Sequence, residues 1–213
     1  MDLQLRQLLP LYFTREQVAL SEIWLRDPII KAGELIEIVA PSGSGKTSLI
    51  HFLYGMRNDY AGSILYDNRP LRDAGHEALA FYRKDKISVV FQDMRLFNSQ
   101  SAFRNIEIKR QLNPFHEAKM IHEMCSRLGI GEKVNAICGN CSYGEQQRIS
   151  IIRALMQPFE ILLLDEPFSH LDKKNAVKAM ELILEEVDKR KATIIFADLE
   201  RTEFFPETRL LHL

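Results

Sequence analysis

β-branched or leucine-rich runs recur four times along this chain, each closing on a polar or glycine-rich end. They are ELIEIV (34–39) before a glycine-rich turn, KISVVF (86–91) before Gln92, ILLL (161–164) before Asp165 and Glu166, and TIIFA (193–197) before Asp198. Runs this continuous suit strands covered on both faces, the environment of a parallel sheet. Between them the apolar positions shift to helical spacing. Leu49, Ile50 and Leu53 share a face of a helix that stops at Gly55. A second helix is expected to start at Asn113–Pro114 and to carry Met120, Ile121, Met124 and Leu128 until Gly129. NAVKAMELILEEV (175–187) is a third amphipathic stretch, and RLLHL (209–213) suits a last short strand. The segment before Gly33 and the stretch GSILYDNRPL (62–71), with its Asp67–Asn68 turn signal, suit antiparallel strands. The alternation predicts an α/β fold with a mostly parallel sheet, flanked by helices and joined to an antiparallel β portion. Ligands of such sheets gather beyond the carboxyl ends of the strands, where the polar residues above fall.

Composition narrows the classes. With 213 residues and 46% hydrophobic content the chain can bury a real core. Lys and Arg number 28 against 29 Asp and Glu, for a net charge of −1, so the chain as a whole draws neither nucleic acid nor anionic lipid. No apolar run approaches the roughly 20 residues that cross a bilayer, and the chain reads as soluble and cytoplasmic. Its three cysteines, Cys125, Cys138 and Cys141, do not suit a disulfide framework. Cys138 and Cys141 form a C-x-x-C without the second ligand pair a zinc site needs, so they are read as small core thiols. No internal repeat or low-complexity block is present.

The strongest chemical signal is VAPSGSGKTSLI, Val39 to Ile50. A strand, a glycine-rich turn and a helix opening at Lys46–Thr47 aim backbone N–H groups and a helix N-terminus at one spot, which suits a phosphate. Ser42, Gly43, Ser44, Gly45, Lys46, Thr47 and Ser48 are the candidate phosphate-binding residues. Gly43 and Gly45 allow close backbone approach. Lys46 is placed to reach the β- and γ-phosphates, and the Thr47 hydroxyl to ligate Mg²⁺. ILLLDEP sets two acids where a buried strand emerges. There Asp165 suits a Mg²⁺-bound water, and Glu166 suits the polarisation of an attacking water. In CSYGEQQRISIIRALM (141–156), Ser142 and Glu145 form a capping box that opens an amphipathic helix bearing Ile149, Ile152 and Met156.

Taken in order, these stretches resemble the motifs of the ATP-binding cassette (ABC) ATPases. Ala40 to Ser48 is similar to the family's Walker A loop, and Gln92 in VVFQD to its Q-loop glutamine. CSYGEQQ resembles the signature, ILLLDEP the Walker B strand and SHLD (169–172) the D-loop. The likeness covers nearly the whole chain. It implies a single nucleotide-binding domain over 1–213 with a P-loop NTPase (RecA-like) core and a helical subdomain over roughly 93–150. It also implies ATP and Mg²⁺ as ligands: Lys46, Gln92 and Glu166 would act in catalysis, and Thr47, Gln92 and Asp165 would hold the metal. Two such domains would close head to tail, Ser142 and Gly144 of one touching the γ-phosphate held by the other, and Asp172 of the D-loop is a further candidate nucleotide-binding residue. An aromatic near the N-terminus stacks on adenine in the family; Tyr12 and Phe13 are both candidates.

Three positions depart from the pattern. Ala40 stands at the first Walker A glycine. Cys141 and Tyr143 replace the leucine and first glycine of the signature. Leu199 stands where the family has a histidine that bonds the γ-phosphate, and no histidine lies between His170 and His212. Asp198 is a poor substitute because its charge repels phosphate, so slow hydrolysis is expected. The leading reading is the energy-coupling subunit of an ABC transporter, peripheral to the membrane through a separate spanning subunit and without a nucleic-acid partner. The alternatives are a regulatory ATP-binding module with little turnover and a soluble ABC protein of DNA repair or translation control. A P-loop kinase would leave CSYGEQQ without a task.

Overall fold

Why the four apolar runs lie side by side is visible in the pairing of the strands. The structure is a computed structural model and describes every residue except Glu207. Its strands and helices are β1 (Leu3–Pro10), β2 (Ile29–Ile30), β3 (Leu35–Val39), α1 (Lys46–Leu53), β4 (Tyr60–Tyr66), β5 (Arg69–Pro70) and α2 (His76–Phe81). They continue with β6 (Ile87–Val90), α3 (Ala102–Leu112), α4 (Lys119–Arg127), α5 (Tyr143–Leu155), β7 (Ile161–Asp165), α6 (Lys173–Arg190), β8 (Thr193–Asp198) and β9 (Arg209–His212). The four predicted runs are β3, β6, β7 and β8, and with the C-terminal β9 they form one parallel sheet in the order β6-β7-β8-β3-β9.

Each face of that sheet lies against a core. Along β7, Leu162 and Leu164 belong to the cluster that holds α3 to α6, whereas Ile161 and Leu163 belong to the one that holds α1 and the antiparallel strands. In β8, Ile194 and Phe196 point one way and Ile195 and Ala197 the other. All five β7 residues are buried. This two-sided burial is the reason the runs are continuous instead of alternating. The second sheet, β2-β1-β4-β5, is antiparallel. Tyr66 pairs with Arg69 across a two-residue turn in which Asp67 and Asn68 take φ of 47° and 64°, a turn that matches strand twist.

The helices between β6 and β7 differ from the periodicity in two places. The helix expected from Pro114 begins at Lys119; the residues before it form a loop in which His116 turns to the buried Glu186 of α6, 2.5 Å away. α3 was not legible in the pattern. Ser101 caps it by accepting from Arg104 N at 3.2 Å, but half of its buried positions are polar, Asn105 and Glu107 beside Ala102 and Ile106, and polar core residues hide an apolar stripe. α4 buries Ile121, Met124 and Cys125 as its spacing predicts. No helix among the described residues is long and apolar enough to cross a membrane.

Candidate functional site

The turn between β3 and α1 takes its shape from two glycines. Gly43 and Gly45 have φ of 82° and 99°, and Gly45 stands at the N-terminus of α1 without any side-chain cap, leaving first-turn N–H groups free for a ligand. A Cβ at Gly45 would meet the Phe13 ring at 3.0 Å and the Trp24 ring at 3.1 Å. Those rings floor the turn, and Trp24 Nε1 donates to Ser44 O at 3.1 Å. Ala40 is buried with φ outside the left-handed region, so the first departure from the family pattern brings no backbone strain. Its N–H donates to Asp198 O, extending the β3–β8 pairing by one bond.

Lys46 is 5% exposed, donates to Ala40 O at 2.8 Å and Pro41 O at 3.1 Å, and lies 3.5 Å from the Glu166 carboxylate. Gln92, just beyond β6, donates through Nε2 to Glu166 at 3.0 Å and sets Oε1 3.5 Å from Thr47 Oγ1. Four side chains, two from the start of α1 and one each from just beyond β6 and β7, thus face one cleft of about 250 Å³, lined also by Tyr12, Ser42, Gly43, Gly45 and Ser48. Ser44 turns the other way: its hydroxyl is buried in the protein without a partner. The Ser48 hydroxyl accepts from Tyr12 (2.5 Å) and Arg57 (3.2 Å).

Asp165 is fully buried, and neither carboxylate oxygen has a hydrogen-bond partner. Burial pushes its pKa up to about 6; the Thr47 hydroxyl, close by without completing a hydrogen bond, and Lys46 oppose the rise, while the Glu166 charge adds to it. A buried, unpartnered carboxylate beside a hydroxyl at a helix N-terminus fits a divalent cation. Among the described residues no group of three or more His, Cys, Asp or Glu could hold a metal alone, so most ligands there would be phosphate and water oxygens.

Of the two candidate aromatics, Tyr12 lines the cleft and Phe13 does not. Phe13 packs edge-on to Tyr12 (5.0 Å between ring centroids) and beneath Gly45.

The sequence profile of the ABC transporter family matches residues 27–169. The chain belongs to the ABC transporter family. It is 37% identical over 159 residues to the macrolide export ATP-binding/permease protein MacB of Nitrosomonas europaea, covering 73% of this chain and 24% of that one. It is 34% identical over 191 residues to a putative ABC transporter ATP-binding protein of Mycoplasma pneumoniae, covering 89% of this chain and 56% of that one. The chain therefore spans about a quarter of the MacB-type relatives it matches. Among solved structures, the dimeric ATP-binding cassette MJ0796, bound to ADP and Pi in a post-hydrolysis state, matches with a TM-score of 0.82 at 26% identity. The match covers 99% of this chain and 94% of that one. The parallel sheet, its flanking helices and the added antiparallel sheet are those of an ABC-type P-loop NTPase.

The remaining motif residues of this ABC chain occupy a second locus. Ser142 and Glu145 form the predicted capping box at the start of α5, with bonds of 2.8 and 3.3 Å. Tyr143 has no left-handed φ, so its replacement of glycine is unstrained; its ring is 68% exposed and lies 5.3 Å from His170. Gly144 must be small, because a Cβ there would come within 2.9 Å of His170 O. Asp172 caps α6, accepting from Asn175 N at 2.8 Å. Ser142, Gly144 and Asp172 do not line the Lys46 cleft of their own chain.

Two side chains that the sequence analysis did not single out hold these parts together. Gln147 of α5, 1% exposed, donates to Glu166 O at 3.2 Å and Ser169 Oγ at 3.3 Å, and accepts from His170 N at 2.9 Å. Arg153 donates to Arg95 O at 2.7 Å and to Met94 O, holding two residues just past Gln92 at φ of 55° and 48°. Burial among polar atoms is a tertiary fact that residue spacing does not show. The thiols of Cys125, Cys138 and Cys141 are free and buried, and burial pushes Cys125 up to about 12 and Cys138 to about 11.

Proposed function

We propose that this chain is the ATP-hydrolysing subunit that drives an ABC transporter. The observation that carries the reading is the convergence of Lys46, Thr47, Gln92 and Glu166 on one cleft, with the unpartnered Asp165 buried beside it. The uncapped α1 N-terminus and the turn amides cradle the β- and γ-phosphates, and Lys46 exchanges its carbonyl partners for phosphate oxygens. Thr47, Gln92 and Asp165 are the residues to hold Mg²⁺, which would neutralise phosphate charge. Tyr12 stacks on the base. Glu166 accepts a proton from a water that attacks the γ-phosphorus, and the bond to the β–γ bridging oxygen breaks, leaving ADP and inorganic phosphate.

A second copy completes the site. The α5 N-terminus, with Ser142 and Gly144, is the partner's anion-binding end, and Asp172 fixes the short segment beside it by capping α6. The fold 1–213 acts as one nucleotide-binding unit, its helices between β6 and β7 meeting a membrane-spanning subunit at the cytoplasmic face; the permease part carried in the MacB relatives supports that partner. Glu166→Gln with ATP and Mg²⁺ should elute as a dimer on size-exclusion chromatography. A variant that binds ATP yet stays monomeric would refute the sandwich.

A second reading, an ATP-gated module of slow turnover, is favoured by the end of β8. Leu199, 45% exposed, follows Asp198 and offers no donor beyond its backbone, and the Leu199 N–H is taken by Asp198 Oδ1 at 2.7 Å. Burial raises the Asp198 pKa.

A further inference from the structure

Arg57 is not part of any motif above, yet it touches both the aromatic ring and the hydroxyl that border the nucleotide cleft. Its guanidinium carbon lies 5.3 Å from the Tyr12 ring centroid and 5.4 Å from that of Phe52, so the group packs against two rings. NH1 donates to Ser48 Oγ at 3.2 Å, the oxygen that also accepts from the Tyr12 hydroxyl. Nε donates to Asp59 at 2.9 Å, and the Asp59 carbonyl accepts from Leu11 N at 3.0 Å, so one residue fixes both the guanidinium and the backbone that carries Tyr12. Arg57 lines a neighbouring cavity with Arg72 and Arg83, not the nucleotide cleft. Tyr12 is thus bounded by Phe13 at its edge, Ser48 at its hydroxyl and Arg57 over its ring, and it is still 49% exposed.

A ring held on three sides keeps an open face in one orientation before any ligand arrives. A stacked base then meets a surface whose rotamer freedom is already spent, which favours binding without a new contact. We propose that Arg57 is a positioning residue for base recognition, clamping Tyr12 so that the adenine of ATP stacks on its open face. This rests on the reading of the cleft as an ATP site with Tyr12 at its base end. It separates two functions within the cleft: the turn amides and Lys46 read the triphosphate, and the Arg57–Tyr12–Ser48 unit reads the presence of a base.

Calorimetry with two ligands in the presence of Mg²⁺, ATP and inorganic tripolyphosphate, tests this on the full chain. Arg57→Leu keeps an apolar body against Phe52 and should weaken ATP roughly threefold to tenfold, the range of one cation–π contact and its ordering effect. Tripolyphosphate should bind the variant within about twofold of wild type, which also shows that the phosphate turn is folded. Arg57→Lys should fall between wild type and Arg57→Leu, because an ammonium lacks the planar fork that spans Ser48 and Asp59. Added to Tyr12→Ala, the Arg57→Leu change should have no further effect on ATP. Equal weakening of both ligands, or additive losses in the double variant, would overturn the clamp while leaving the ATP reading intact. Wild-type protein that binds neither ligand would overturn both.

Discussion

Replacing Gln147 with methionine, a residue of similar volume, should separate nucleotide binding from turnover. Glu166 sits at φ 45°, a left-handed conformation that costs a side-chain-bearing residue about 1–2 kcal/mol and persists only where surroundings enforce it. Three bonds enforce it from the backbone side: Glu166 N donates to Ala197 O at 2.9 Å, and Glu166 O accepts from Gln147 at 3.2 Å and from Ser169 N at 3.3 Å. Gln147 also holds Ser169 and His170, so the methionine removes three hydrogen bonds in a residue that is 1% exposed. At about 1 kcal/mol each, the change should lower unfolding stability by roughly 2–3 kcal/mol. Freed of one restraint, the Glu166 backbone can relax toward an unstrained φ and carry its carboxylate away from the water it is proposed to activate, where a shift of about 1 Å lowers the rate by up to roughly a hundredfold. Urea unfolding, calorimetry with ATP and steady-state phosphate release measure the three quantities. Stability should fall as stated, ATP affinity should stay within about threefold and turnover should drop at least tenfold. Wild-type turnover in a variant that has lost the expected stability would refute the claim that Gln147 positions Glu166.

Two further predictions concern charge and the missing histidine. Burial alone would push Glu186 up, but hydrogen bonds from His116, Arg190 and Lys189 overturn that and hold it at about 2, below the ordinary glutamate value of 4.5. A lowered carboxylate pKa stabilises the fold above pH 4.5 and loses that contribution as pH falls toward 2; at about 1.4 kcal/mol per unit this is about 3 kcal/mol at pH 7. Glu186→Gln should show that deficit in urea unfolding at pH 7 and a smaller one at pH 3, and an equal deficit at both would refute the assignment. Leu199→His should raise phosphate release about tenfold or more by restoring a donor to the γ-phosphate; no gain would mean that the segment after β8 does not face the nucleotide.

The sequence by itself determined the layered sheet and the phosphate turn, because each is a local matter. A strand buried on both faces needs apolar residues at every position, as in 161–164, and a turn that brings amides to a phosphate needs glycines at fixed offsets, as at Gly43 and Gly45. The capping box at Ser142 and the Asp67–Asn68 turn were legible for the same reason: their partners lie within three residues. α3 was not, since its inward face carries Asn105 and Glu107, whose burial is made acceptable by bonds to Phe97, Gln100 and Arg110. Nor was the start of α4, because the loop after Pro114 is fixed by the pairing of His116 with the buried Glu186, 70 positions away. Only the tertiary structure put Tyr12 and not Phe13 on the wall of the cleft, took the strain out of Ala40 and Tyr143, and revealed Gln147, Arg153 and Arg57. Those outcomes depend on which residues meet across 9 to 59 positions of chain, as Arg57 meets Ser48 and Arg153 meets Met94, and no spacing rule in the sequence encodes such meetings.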